Sequence, residues 1–243
     1  MAGGISIGLW PLLVSALNSL KNGNLPPKVI LIALVSEALG LGIVLGSTMV
    51  KMPQILAVVR AKSAEGLSPL SFELETLGLA IAATYGTLNN LAFSAYGESA
   101  AMLIQNIILL LLVYRYQGRS SSRTAGLFAV LAGWGGVLAS GAMQPSHLNA
   151  LYDFNNILLL ASRVPQILQS YSDKSTGQLS IVTYALNLAG AAARIFTTLQ
   201  QKNAGTAMLR GAMLSTLLNA VMVGQIIMYR GNGTKGKKKA KRA

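Results

Sequence analysis

Lys51-Met-Pro-Gln-Ile-Leu56, followed by Lys62-Ser-Ala-Glu-Gly-Leu-Ser68, decides how this chain is interpreted, because the pattern occurs twice. Arg163-Val-Pro-Gln-Ile-Leu168 and Lys174-Ser-Thr-Gly-Gln-Leu-Ser180 repeat it at a constant offset, without a gap. Eight of the eighteen paired positions are identical, and a basic residue stands two places before each proline. The period is too long for a solenoid, so the chain is predicted to contain one unit of about 110 residues twice.

Composition indicates a membrane protein. Of the 243 residues, 52% are hydrophobic and only 11% are charged, whereas soluble domains carry about 25% charged residues. The chain has no cysteine, which excludes disulfides and thiolate metal sites. The net charge is +13, and six of the twenty basic residues lie between Lys235 and Arg242. Next to so apolar a body, we expect this tail to face an anionic membrane surface and not nucleic acid.

Seven membrane-spanning helices are predicted from the apolar segments. Before them we expect an interfacial helix, a turn at Pro26-Pro27 and an apolar lead-in at Val29–Ser36. Ser68 and Pro69 form a helix start, an N-cap followed by proline at the first helical position, and Ser180 occupies the equivalent place. The predicted spans are 37–60, 72–90, 97–117, 125–143, 148–171, 181–200 and 209–229.

Loop charges predict the orientation. Basic residues concentrate after the first, third, fifth and seventh spans, whereas the segments 89–98 and 144–153 contain no Lys or Arg. Because basic loops stay on the cytoplasmic side, the C-terminus is predicted to be cytoplasmic. The single histidine, His147, is expected in a surface loop on the opposite side.

The first span matches the fifth, so both copies of the repeat cross the membrane in the same direction. The fold class is therefore an all-α integral membrane protein in which two parallel three-helix bundles flank a linker helix (3+1+3), as in internally repeated transporters. The predicted division is a 1–36 N-terminal segment, a 37–117 first bundle, a 118–147 linker helix, a 148–230 second bundle and a 231–243 basic tail.

Pro53 and Pro165 are predicted to lie inside their helices, where proline removes a backbone hydrogen bond. In a membrane the freed carbonyl needs another donor, and the neighbouring amides of Gln54 and Gln166 are candidates. These four residues form either a hinge in each bundle or a static kink.

Lys51 and Arg163 are predicted to lie deep in the membrane, where a cation is costly and requires an anion. Either a protein carboxylate or the phosphodiester of a lipid headgroup would serve, since both Lys and Arg bind phosphate. The carboxylates considered are those of Glu37, Glu73, Glu75 and Asp153.

Three further polar residues fall within predicted spans: Arg194 in the sixth, Asn106 in the third and Asn219 in the seventh. They bind either substrate or neighbouring helices. No catalytic motif or phosphate-cradling glycine loop occurs in the sequence, so neither an enzyme activity, a cofactor nor a metal is predicted.

The repeated Pro-Gln, the preceding basic residue and the 3+1+3 layout resemble the PQ-loop family, which includes the SWEET sugar transporters. That resemblance implies sugar-binding roles for Asn106 and Asn219. The strings Gly40-Leu-Gly-Ile-Val44, Val50–Gln54, Ala61–Ser68, Thr176–Ser180 and Ala193–Gln200 are similar to the mannose-P-dolichol utilization defect 1 family within it.

This closer resemblance implies a multi-pass protein of the endoplasmic reticulum. Its family is needed for the use of dolichol-phosphate-mannose and dolichol-phosphate-glucose in glycosylation, by moving the dolichol-linked sugar or presenting it to glycosyltransferases. Lys239 and Lys241, fifth and third from the end, resemble a dilysine retrieval signal or are simply part of a polybasic tail. The alternative is a PQ-loop or SWEET-type transporter of a small sugar or amino acid.

Overall fold

The computed structural model describes residues 9–65, 67–118, 121–176, 181–201 and 203–229. These residues form two compact units, one running up to Tyr152 and including Gln200–Ala204, the other comprising Asp153–Leu199 and the residues from Gly205 onward. All regular structure in the described ranges is helical. The helices are α1 (Leu9–Lys21), α2 (Lys28–Ser47), α3 (Met52–Ala61), α4 (Pro69–Leu88), α5 (Phe93–Tyr116), α6 (Ser121–Ala139), α7 (Pro145–Ser172), α8 (Ile181–Gln200) and α9 (Thr206–Met228).

The first predicted span is two helices, not one. It begins earlier than predicted, because the apolar lead-in Val29–Ser36 belongs to α2. Helix α2 ends at Ser47, and α3 begins at Met52 with Pro53 in its first turn. Proline has no N–H to continue a helix, and its ring clashes with the carbonyl four residues earlier, whereas the first turn tolerates it. The prediction that Pro53 lies inside a helix is therefore wrong.

The second copy differs at the same position. Helix α7 continues through Pro165 without a break, so the prediction of a helix-interior proline holds there. The helix begins at Pro145, which places His147 in its first turn and not in a loop as predicted. Burial of Tyr184, Met222 and Ile226 forms a small apolar core in this unit.

In the first unit, α5 is the central helix and packs against α2, α3 and α4. The approach of α2 to α5 requires a glycine, because a Cβ on Gly40 would lie 2.7 Å from the Cβ of Ser94. Buried side chains from α3, α4, α5 and the α3–α4 connection form its core: Val58, Ala64, Phe72, Leu109, Leu110, Val113 and Tyr114.

The helix start predicted at Ser68-Pro69 is confirmed. Ser68 is the N-cap of α4, its Oγ accepts a hydrogen bond from the Ser71 N–H at 3.4 Å, and Pro69 is the first helical residue. Ser180, the equivalent residue of the second copy, lies outside the described residues, as do the segment from Arg230 onward and its lysines.

Every predicted span overlaps a helix of the structure. Within the described ranges, three helical segments are long and apolar enough to cross a membrane by length and composition: Lys28–Ala61, Phe93–Tyr116 and Thr206–Met228. Large apolar side chains such as Leu45, Ile104 and Leu217 are exposed on these segments. Because so much exposed apolar surface is unfavourable in water, the outer faces of these helices are suited to lipid. The chain is a multi-pass membrane protein, and the seven-span 3+1+3 arrangement stays a prediction.

Candidate functional site: the repeated basic residues

Lys51 lies at the break between α2 and α3 and is the residue that immediately precedes α3. Its Nζ lies 2.7 Å from Oε2 of Glu75 on α4, and its side chain is only 7% exposed. The Nζ also lies 5.3 Å from the centroid of the Phe72 ring, a cation–π distance. Of the carboxylates considered as partners, Glu75 is therefore the one that the structure places beside Lys51.

The amide of Gln105 on α5 forms hydrogen bonds to the backbone on both sides of the break. The N–H of Lys51 donates to Oε1 of Gln105 at 3.1 Å. The Nε2 of Gln105 donates to the Ser47 carbonyl at 2.9 Å and to the Ala101 carbonyl at 3.1 Å. A buried backbone group without a partner is costly, so this side chain stabilises the break. Gln54 was the candidate from sequence for an amide that satisfies the backbone near Pro53, and among the described contacts it is Gln105 that bonds to the backbone at the break.

Asn106, the next residue of α5, is fully buried. Its Nδ2 donates to the Phe72 carbonyl and to the Thr76 Oγ1, both at 2.9 Å. Its amide therefore joins α5 to α4. In the second copy, the Nδ2 of Asn219 donates at 2.8 Å to the Ser215 carbonyl of its own helix. The two asparagines that the SWEET resemblance pairs thus have different contacts, and only Asn106 links two helices among the described contacts.

Glu73 lies apart from the Lys51 site, in a contact with two other helices. Its Oε1 accepts a hydrogen bond from the Tyr114 hydroxyl at 2.7 Å. The Arg123 Nη1, on α6, lies 3.3 Å from the same oxygen, with side-chain exposures of 45% for Arg123 and 32% for Glu73. This contact attaches the start of α6 to α4 and α5.

Arg163 lies inside α7, about 14 Å along the helix axis from the end of the helix at Ser172. Its Cζ lies 5.9 Å from the centroid of the Tyr184 ring. The Arg163 Nη1 donates to the Tyr184 hydroxyl at 3.4 Å, and that hydroxyl donates to Oε1 of Gln166 at 3.3 Å. Arg163, Tyr184 and Gln166 therefore form a chain of polar contacts around Pro165.

The remaining predicted site residues do not join this constellation by the contacts described. Gln54 is half-buried on α3, and Arg194 is half-buried in α8, where its carbonyl accepts from the Thr197 hydroxyl at 3.2 Å. Among the described residues, no group of three His, Cys, Asp or Glu side chains is placed to hold a metal ion.

Sequence reasoning missed the two aromatic rings. Phe72 and Tyr184 are separated by the same offset as Lys51 and Arg163, so extending the comparison beyond Ser68 and Ser180 would have paired them. Gln105 carries no such signal, because its role depends on a helix break that the sequence did not predict. The guanidinium, hydroxyl and amide of Arg163, Tyr184 and Gln166 supply hydrogen-bond donors and acceptors that suit anionic and hydroxyl-bearing groups.

Comparison with known proteins agrees with the repeat. The PQ loop repeat model matches residues 35–95 and 154–205. The chain is also 28% identical over 185 residues to solute carrier family 66 member 3 from Homo sapiens, an alignment covering 76% of this chain and 89% of that protein. Both segments that match the repeat model contain a Pro-Gln motif, and Lys51 and Arg163 stand two residues before the prolines of these motifs.

Proposed function

We propose that this chain is a PQ-loop membrane protein of transporter type, and not an enzyme, that supports the use of dolichol-phosphate-mannose and dolichol-phosphate-glucose in glycosylation. In this proposal it moves the dolichol-linked sugar between the leaflets of the endoplasmic reticulum membrane. A lipid-linked sugar phosphate has an apolar tail, an anionic phosphate and a polar sugar. A carrier for it needs cations and amides at membrane depth.

The observation that carries the proposal is the cation that accompanies each Pro-Gln motif, and of the two only Arg163 has no carboxylate partner among the described residues. Lys51 and Arg163 each lie on an aromatic ring, in a protein whose helices expose apolar faces. Charged residues within a membrane often mark substrate pathways. Pro53 lies at a helix break and Pro165 inside a continuous helix, so the two halves offer different points for bending. Rocking of two bundles about such points is how repeated transporters expose a site alternately.

The proposed location in the endoplasmic reticulum is supported by the sequence and not by contacts within the structure. Segments of the chain are similar to the mannose-P-dolichol utilization defect 1 family, and basic residues concentrate after the first, third, fifth and seventh predicted spans. We accordingly propose a cytoplasmic C-terminus. Glycosyltransferases that take the sugar on the opposite side would then be functional partners.

A second candidate function is transport of a small sugar or amino acid. The similarity to a solute carrier favours it, as does the amide of Asn219, which the described contacts leave bonded only within its own helix. A third form of the proposal has the protein bind and present the lipid without moving it.

Reconstitution separates these functions. Purified full-length protein in liposomes would be given a fluorescent dolichol-phosphate-mannose analogue, and in a parallel sample radiolabelled mannose and a mixture of amino acids. Protein-dependent movement of the lipid to the other leaflet is the expected result. Uptake of the free solute without lipid movement would overturn the proposal in favour of the second candidate, and binding without movement would favour presentation.

A further inference from the structure

At both Pro-Gln motifs the cation faces an aromatic ring, but different groups pair with the two cations. Lys51 faces the ring of Phe72 and Arg163 faces the ring of Tyr184, at 5.3 and 5.9 Å from the centroids. The two cations and the two rings are separated by the same offset in sequence. Both copies of the repeat therefore retain a cation resting on an aromatic ring, and differences around it reflect divergence of the two copies.

In the first copy the protein itself supplies the counter-charge. Glu75 lies 2.7 Å from the Lys51 ammonium. Gln105 additionally connects the Lys51 backbone to the Ser47 carbonyl. This cation is paired and enclosed, so it offers little to a ligand.

In the second copy these partners are absent from the sequence. At the offset of the repeat, Glu75 corresponds to Asn187 and Ser47 to Leu159. Aligning Asn106 with Asn219, which shifts the register by one residue, makes Leu218 the equivalent of Gln105. Among the residues that the structure describes, no carboxylate forms an ion pair with Arg163. The change from Phe72 to Tyr184 adds a hydroxyl, which contacts Arg163 and Gln166.

We infer that Arg163, with Tyr184 and Gln166, forms a binding site for a phosphate oxyanion, whereas Lys51 is a structural cation. This inference rests on the proposed function and assigns the phosphate of the substrate to the second bundle. A guanidinium has five N–H donors in a planar fork that matches phosphate oxygens, and a single one is used by Tyr184 among the described contacts. In the predicted 3+1+3 arrangement α7 crosses the membrane, and there a half-buried cation about 14 Å from its helix end is unfavourable without an anion, so binding relieves an electrostatic cost.

The test is ligand-dependent melting of the full-length protein in detergent. The probes are dolichyl phosphate, inorganic phosphate and uncharged dolichol, with chloride matching the ionic strength. The variants are R163Q, R163K and Y184F, and the control is R210Q. Arg210 is an arginine of the same unit whose guanidinium already pairs with Asp153 at 2.6 Å and is 55% exposed.

We expect R163Q to melt at or above the parent without ligand, because it removes an uncompensated cation, and to bind dolichyl phosphate about 10- to 100-fold more weakly. R163K should bind with intermediate affinity, because lysine keeps the charge and loses the fork. Y184F should also bind more weakly than the parent, because it removes the hydroxyl that positions the guanidinium. R210Q should bind as the parent does. An R163Q variant that melts lower than the parent and binds dolichyl phosphate with the parent's affinity would overturn the inference.

The probes also distinguish a lipid phosphate from a free phosphate. Together with the liposome assay, they separate the Arg163 site from the proposed lipid function. Stabilisation by dolichyl phosphate, but not by dolichol or inorganic phosphate, supports a lipid headgroup as ligand. Stabilisation by inorganic phosphate alone, lost in R163Q, would support the site while contradicting the proposed lipid function. Lipid movement in liposomes that is equal for the parent and R163Q would support the function while overturning the site.

Discussion

Replacing Lys51 with methionine tests whether this cation holds the first bundle together. The substitution removes the ammonium and leaves the Glu75 carboxylate without its partner at 2.7 Å. Methionine retains most of the apolar side chain, so packing against the Phe72 ring is largely kept. The expected effect is therefore electrostatic, and it is a loss of stability.

The size of this loss of stability depends on how exposed the Lys51 and Glu75 side chains are to solvent. Breaking a buried pair costs about 3–5 kcal/mol, whereas exposed pairs contribute about 0–1 kcal/mol. The Lys51 side chain is 7% exposed but that of Glu75 is 37% exposed, so the stranded carboxylate still reaches solvent in part. We expect a loss of about 2 kcal/mol, between those limits. In a chain of this size that corresponds to a fall in Tm of roughly 4–8 °C.

The assay is thermal melting of the purified protein in detergent for K51M, E75Q and the double variant K51M/E75Q. The double variant should melt higher than K51M, because no charge is then left unpaired, and the cycle isolates the coupling between the two side chains. K51R serves as the charge-preserving control and should remain close to the parent. A K51M variant that melts at or above the parent would refute the reasoning and return Lys51 to the candidates for substrate binding.

Three further outcomes are expected. Gln105→Leu should destabilise the protein by about 1–3 kcal/mol, because the buried Lys51 N–H loses its acceptor and the Ser47 carbonyl keeps only the Val50 N–H at 3.3 Å; an unchanged Tm would contradict the bridging role. Pro165→Ala should leave the Tm equal or higher, since proline is unfavourable inside a helix, while Pro53→Ala should gain nothing in a first turn; normal glycosylation in cells carrying both changes would exclude the hinge. A glycosylation acceptor inserted between Gly141 and Gln144 should be modified and one after Gly231 should not, and the reverse pattern would contradict the predicted orientation.

The positions of the helices could be predicted because their signals are local. Apolar segments of spanning length, the Ser68-Pro69 helix start and a repeated motif all lie within short stretches of sequence. The break at Ser47–Met52 could not be read with the same certainty. Proline favours either a kinked helix or a new helix start, and Pro53 and Pro165 adopt different solutions within nearly the same motif.

The partners of the polar residues depend on tertiary packing and were less predictable. Glu75 was one of four carboxylates considered for Lys51, and only the packing of α4 beside the break selects it. Glu73, two residues earlier, contacts Tyr114 and Arg123 instead. Gln105 belongs to α5, far along the chain from the backbone groups that it satisfies, and no spacing rule connects the two.

The two copies differ in the side chains that surround the cation. Where the first copy has Glu75, Gln105 and Thr76, each engaged in a hydrogen bond or ion pair, the second has Asn187, Leu218 and Leu188. The second copy therefore lacks the side chains that make these contacts in the first, whereas both copies have the cation. A repeat that only needed to support the fold would lose the costly charge together with its partners, because an unpaired cation in a membrane is unfavourable. Retention of Arg163, which pairs with no carboxylate among the residues that the structure describes, is therefore more readily explained by a ligand than by structure.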